Sequence, residues 1–186
     1  MKMTEKEFQN RYRIRVLKST ERVKTFLCGD DDLDNFILEE ATLYGKAKIS
    51  VTYIVTDSMI DDEVVAYFSL ANDKLSVNDF ASNSEFNRFR KHRFSHEKRL
   101  RSYPAVKLCR LGVQDSMKGT GIGSILLRFM IRLYLFNSRA GCRFITVDAY
   151  KSAVSFYEAN GFLKLTRSSE EAYTVPLYFD LCSLIE

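Results

Sequence analysis

Three of the eight glycines in this 186-residue chain fall within five residues, at Gly119, Gly121 and Gly123. They follow a strand-like run from Ala105 to Gln114 and open a long apolar helix. Glycine lets a backbone turn tightly and leaves successive N–H groups free to converge on one anion. The positive end of the following helix adds to that field. The loop is therefore predicted to cradle a phosphate or pyrophosphate. The competing reading is that the glycines only permit close packing. The spacing excludes two nucleotide folds. A P-loop needs Gly, four residues and then Gly-Lys-Ser/Thr, and a dinucleotide fingerprint needs Gly-x-Gly-x-x-Gly after the first strand. Here the run Gly119-Thr120-Gly121-Ile122-Gly123 comes late, after several strands.

Upstream, Tyr12, Ile14 and Val16 alternate as in a first strand. Cys28-Gly29-Asp30-Asp31-Asp32 reads as a turn and helix cap, because Asp favours N-caps and the positive helix end. A cation site is the alternative reading of the three aspartates. Leu33, Phe36, Ile37 and Ala41 then recur at helical spacing, and strands are predicted over 49–57 and 64–76 with Asp61-Asp62 in the turn. After the glycine loop a helix is predicted to end near Ala140-Gly141. A strand over 143–148, a helix over 151–160 with Gly161 as its C′ residue, and strands over 162–166 and 173–181 follow. A hairpin-like set followed by β–helix–β predicts an α/β chain with a mixed, mostly antiparallel sheet and helices on both faces.

With 46% hydrophobic and 13% aromatic residues, the chain has material for one cored domain, taken as 1–186. No signal-peptide stretch opens it, and its longest near-apolar run, Ile122 to Phe136, is short for a bilayer and contains Arg128 and Arg132. Cys28, Cys109, Cys142 and Cys182 are too dispersed for a metal site and read as reduced core thiols, which places the protein in the cytoplasm, away from membranes. The net charge of +4 hides an asymmetry. Between Phe86 and Arg101 stand seven cations (Arg88, Arg90, Lys91, Arg93, Lys98, Arg99 and Arg101) against Glu97 alone, a local +6 that leaves the rest at −2. Phe86, Phe89 and Phe94 interleave with them as apolar anchors. A solvated face is the ordinary explanation of such a run, and polyanion binding is the reading that suits an otherwise acidic chain. A grip on a cofactor phosphate would need only one or two of these cations.

Leu111-Gly112-Val113, Lys118-Gly119-Thr120-Gly121-Ile122-Gly123 and Ala153-Val154-Ser155-Phe156-Tyr157-Glu158-Ala159-Asn160-Gly161-Phe162 together resemble the GNAT superfamily of N-acetyltransferases. In that family the loop has the form Arg/Gln-x-x-Gly-x-Gly/Ala, and Lys118 stands at its first position. The resemblance implies a GNAT-type sheet with a central splayed strand pair, a cofactor core over about 105–182 and a basic insert over about 85–102. It also implies acetyl-CoA as acyl donor. Leu111, Gly112 and Val113 would hold the pantetheine arm and thioester, and Lys118 through Ser124 would hold the pyrophosphate. Tyr157 would be brought to the sulfur, and Tyr150 stands where many members carry Asn. A narrower likeness runs through Phe26-Leu27-Cys28-Gly29, Leu33-Asp34-Asn35-Phe36-Ile37, Tyr67-Phe68-Ser69-Leu70 and Cys109-Arg110-Leu111-Gly112-Val113. It is similar to the branch containing tRNA-acetylating toxins, which implies a tRNA partner and an antitoxin.

The implied reaction is direct attack by a primary amine on the acetyl carbonyl. A backbone N–H of Leu111 or Val113 would stabilise the oxyanion, and Tyr157 would act as general acid. Taken alone, an aromatic at helical spacing favours a packing role for Tyr157 between Phe156 and Phe162, and the acid role rests on the resemblance. No general base stands out, although Asp115 and Asp148 lie near strand ends. His92 and His96, four apart, lack the Glu of a zinc-protease motif and sit among cations, so no metal is expected. Arg88, Arg90, Arg93 and Lys98 are the substrate-binding candidates, following tRNA phosphates. The helix after the loop is apolar nearly all round, as in a two-sided core or a homodimer contact. The rival functions are acetylation of a protein N-terminus or small amine, and a non-catalytic CoA- or RNA-binding regulator.

Overall fold

A computed structural model describes residues 2–60, 63–94, 100–137, 140–165 and 172–185, with His92 described in its backbone only. Asp61, Asp62, His96, Lys98 and Arg99 therefore lie outside the described residues. The elements in order are α1 (Glu5–Arg11), β1 (Tyr12–Val16), α2 (Asp31–Asn35), α3 (Ala41–Lys46), β2 (Val51–Asp57), β3 (Glu63–Ser76) and α4 (Asn83–Arg93). They continue with β4 (Ser102–Val113), α5 (Ile122–Phe136), β5 (Phe144–Tyr150), α6 (Val154–Ala159), β6 (Leu163–Lys164) and β7 (Thr174–Asp180). The strands follow the order β1-β2-β3-β4-β5-β7-β6 in a mixed, mostly antiparallel sheet whose parallel pair is β4–β5. By contacts the chain forms two compact units, Met1–Ala71 with Leu108–Met130, and Asn72–Lys107 with Ile131–Glu186.

In the first unit, β1, β2 and β3 pair antiparallel, with Ile14 opposite Val55 and Tyr53 opposite Phe68. The rings of that second pair stack at 4.9 Å. Helix α1 was not anticipated. Thr4 and Glu7 form a reciprocal capping box at its start, and Arg11 at its end makes a bidentate pair with the buried Asp57. The aspartate cluster does cap a helix: Asp30 accepts from the N–H groups of Asp32 and Leu33, both at 3.1 Å. The helix it begins runs through a wide π turn, Phe36–Glu40, into α3. Its apolar residues Phe36, Ile37 and Ala41 pack with Phe26, Ile54 and Tyr67.

In the second unit, the parallel pair is marked by Arg143 N–H to the Pro104 carbonyl at 2.9 Å and by Thr146 Oγ1 near the Val106 carbonyl at 3.4 Å. Strand β7 lies between β5 and β6, with Val147 opposite Leu177 and Leu163 opposite Tyr178. The core here gathers Leu75, Phe80, Phe86, Phe89, Tyr103, Phe144 and Tyr178. Helix α5 ends at Phe136, before the expected Ala140. Of the apolar face that seemed available to a second copy, Leu127 and Ile131 are buried within the chain. Tyr134 and Leu135 are half-buried, and Phe136 is exposed.

Candidate active site

The glycine loop belongs to the first unit. Gly119 and Gly121 have φ of +76° and +88°, a left-handed backbone that L side chains rarely adopt. The turn is closed by Met117 N–H to the Gln114 carbonyl (2.8 Å) and Thr120 Oγ1 to the Met117 carbonyl (2.7 Å). Ile122, Gly123 and Ser124 are the first residues of α5, whose amides have no intrahelical acceptor. A side chain at Gly119 would meet no atom within 4 Å, so its outer face is open. Open amides on left-handed glycines at the start of a 15-residue helix suit a pyrophosphate. The residues present thus fit the cofactor expected from sequence.

Lys118 does something the sequence does not reveal. Its Nζ donates to the Cys28 carbonyl at 2.6 Å and pairs with Asp115 at 2.7 Å, which also draws its pKa upward. Asp115 N–H in turn donates to the Leu27 carbonyl at 2.9 Å. The loop is therefore strapped to the Leu27–Gly29 turn, and the two ends of the narrower sequence likeness meet here. One strand back, Gly112 lies against Tyr67: a Cβ at 112 would sit 2.4 Å from Tyr67 Cε1. Tyr67 is fully buried and pinned by its hydroxyl to the Leu33 carbonyl at 2.7 Å. Arg110, two residues earlier, lies over Phe36 at 4.2 Å and within 3.7 Å of Asp32. Tyr67 and Asp115 are supporting residues, a role the sequence does not reveal for either. Only the glycine at position 112 hints at a ring above it.

Tyr157 belongs to the second unit. Helix α6 ends in a Schellman motif, with Phe162 N–H on the Tyr157 carbonyl (3.1 Å) and Gly161 N–H on the Glu158 carbonyl (3.0 Å). Gly161 takes φ +87° as the C′ residue, and a Cβ there would approach Phe179 to 3.0 Å. The Tyr157 ring meets Phe156 and Phe162 edge-on at 5.1 and 5.4 Å. Burial pushes its phenol up to about 12, so it keeps its proton throughout the neutral range. Asp148, in the same unit, is ion-paired with Lys107, as Asp115 is with Lys118 in the first. Both carboxylates considered as bases are thus engaged with lysines. Among the described residues, no cluster of His, Cys, Asp or Glu is arranged to hold a metal ion. Burial, followed by neighbouring Asp34, pushes the Cys28 thiol up to about 12, as befits a core cysteine.

The first part of the basic segment lies in α4, capped by Ser82 on Glu85 N–H at 3.2 Å. Phe86 and Phe89 are buried anchors, and Phe94 stacks on Tyr103 at 4.2 Å. Its cations do not share one environment. Arg88 and Lys91 are exposed. Arg90 lies over the Phe86 ring and reaches the Leu100 carbonyl. Arg93 turns inward, over Phe89 at 4.2 Å, bonded to Tyr178 Oη at 2.9 Å and paired with Asp180 at 3.2 Å. Arg143 holds the same Asp180 carboxylate at 2.8 Å.

Residues 95–175 match the family model for an acetyltransferase (GNAT) domain. Solved structures agree in fold. AtaT complexed with acetyl-methionyl-tRNAfMet is 23% identical, with 94% of this chain and 97% of that chain covered and a TM-score of 0.75. A tyrosine-to-phenylalanine mutant of KacT is 20% identical over 94% of this chain and 98% of that one, also at 0.75. AtaTR bound with AcCoA is 22% identical over 95% and 97%, at 0.74. At such identities the likeness is one of fold.

Proposed function

We propose that the protein is an acetyl-CoA-dependent N-acetyltransferase whose acceptor is the amino group of aminoacyl-tRNA. The observation that carries the donor half is the pair of left-handed glycines, Gly119 and Gly121, opening amides at the start of α5 within the matched GNAT domain. The acceptor half is supported by the fold shared with AtaT, which was captured with acetyl-methionyl-tRNAfMet, and by the exposed cations of α4. By the same likeness an antitoxin is a proposed partner, since AtaT is known bound to the C-terminus of the antitoxin AtaR. Cytoplasmic residence accords with this reading; no helix of the described residues is long and apolar enough to cross a membrane.

Acetyl-CoA, when bound, supplies an activated acyl group. The chain's own residues do the rest. Within Lys118–Ser124, Gly119, Gly121, Ile122, Gly123 and Ser124 would hold the pyrophosphate by main-chain N–H groups. The Lys118 and Thr120 amides donate to the Asp115 and Met117 carbonyls and shape the turn, and the Lys118 side chain holds it through Cys28 and Asp115. Leu111, Gly112 and Val113 orient the thioester arm, with the Leu111 or Val113 N–H directed at the developing oxyanion, an interaction of about 2.7–4 kcal/mol elsewhere. Held geometry converts attack by the amine into a nearly unimolecular step. By the GNAT resemblance Tyr157 would give its phenolic proton to the departing thiolate, and the proton lost by the attacking nitrogen would restore the phenol. The amine of an aminoacyl ester titrates low enough to enter neutral, so neither Asp115 nor Asp148, each ion-paired with a lysine within its own unit, is needed as a base. Arg88, Arg90 and Lys98 follow the phosphates of the acceptor. Arg93 orders the helix that presents Arg88 and Arg90.

The test is to offer labelled acetyl-CoA together with charged tRNA, peptides and polyamines. Label on the aminoacyl-tRNA is the expected result. Label on peptides or polyamines alone would overturn the acceptor while leaving the donor site intact.

A further inference from the structure

The N-terminal segment lies on the glycine loop. Met3 N–H donates to the Thr120 carbonyl at 2.7 Å. A Cβ at Gly121 would be 3.7 Å from Lys2 Cβ, the nearest atom to it. The segment is anchored further along by Glu5 with Arg128 at 2.7 Å and by Arg11 with Asp57 at 2.6 Å. Lys2, Met3, Glu7, Arg11, Tyr12 and Thr120 line a cavity of about 260 Å³ between them. The charges around it are mostly spent. Arg11 is held by Asp57, Glu7 is folded into its capping box with Thr4, and Lys2 is exposed without an ion-pair partner among the described residues.

We infer that this segment is part of the cofactor site, with Lys2 supplying a cation to the pyrophosphate held on Gly119–Ser124. This rests on the donor reading above and extends it to a residue far away in sequence. The Lys2 stem beside Gly121 brings a cation next to the amides that would hold the anion. The anchoring by Met3, Glu5 and Arg11 keeps the lysine there at little entropic cost.

Calorimetric titration with CoA, dephospho-CoA and S-acetylpantetheine tests it. Lys2→Ala is expected to weaken CoA binding about fivefold and Lys2→Glu about twentyfold, the difference shrinking at high salt. The same losses should appear with dephospho-CoA, and binding of S-acetylpantetheine should not change. Unchanged CoA affinity in both variants would overturn the inference. So would a loss confined to CoA, because that would assign Lys2 to the 3′-phosphate. Gly121→Trp is run alongside: if it too binds CoA normally, the loop assignment itself has failed, whereas a silent Lys2 with a defective Gly121→Trp condemns only the N-terminal contact. Lys2 is exposed, so thermal melting of its variants should match the parent.

Discussion

Tyr157 shows how local packing sets chemistry. Its ordinary value of 10.0 rises to about 12 through burial. Since the folded chain holds this proton more tightly, the associated stability is complete below about pH 10. It is lost as pH rises toward about 12, a fall of about 2–3 kcal/mol. Denaturant titrations from pH 9 to 11.5 should show the decline, and Tyr157→Phe should lessen it. The same variant should cut turnover by about 10²–10⁴ while sparing CoA affinity. Parental turnover would remove Tyr157 as the acid. A second prediction concerns Gly112. In Gly112→Ala the new methyl meets the Tyr67 ring, and that ring is pinned by Leu33 and cannot swing aside. A loss of about 1–3 kcal/mol in urea unfolding is expected, and an unchanged midpoint would contradict the close approach. Tyr157 was legible from its surroundings in sequence. The reason for Gly112 was not, because it depends on the pairing of β3 and β4, whose residues are far apart in the chain.

Among elements, α4 and the glycine loop were legible to different depths. The alternation of phenylalanines and cations marked α4 as a two-faced segment, and Phe86 and Phe89 are its buried side. Counting charge could not separate Arg88, which is exposed, from Arg93, which closes over Phe89 onto Asp180. The two should therefore fail differently. Arg88→Ala should weaken tRNA binding with an unchanged melting temperature, and the deficit should vanish at high salt. Arg93→Ala should lower the melting temperature by several degrees, because it strips one of two cations from a mostly buried carboxylate. Equal effects on both readouts would refute the division. The loop was legible because glycine spacing is local information, although α5 begins at Ile122, within the run expected to be loop. The strap from Lys118 to Cys28 joins distant segments and was invisible. Two local signals were also passed over: Thr4 and Glu7 at capping-box spacing, and the π turn at Phe36–Glu40, which helical periodicity does not distinguish.

At the scale of the molecule, the charge asymmetry and the matched domain assign different tasks to different stretches of chain. In the proposed function the glycine loop and its strand address a cofactor, and the local +6 between Phe86 and Arg101 addresses a polyanion in a chain that is otherwise −2. Gly121→Trp should abolish CoA binding, since a large side chain on a left-handed residue both strains the loop and covers its amides; retained affinity would sink the cradle. The central claim is the transfer itself. Charged tRNA treated with the protein and acetyl-CoA, then digested with nuclease, releases its 3′-terminal aminoacyl-adenosine for mass analysis. The account predicts that this fragment gains one acetyl group on its α-amine, and that deacylated tRNA gains none. An unmodified aminoacyl-adenosine with the acetyl group recovered on a peptide or polyamine would contradict it.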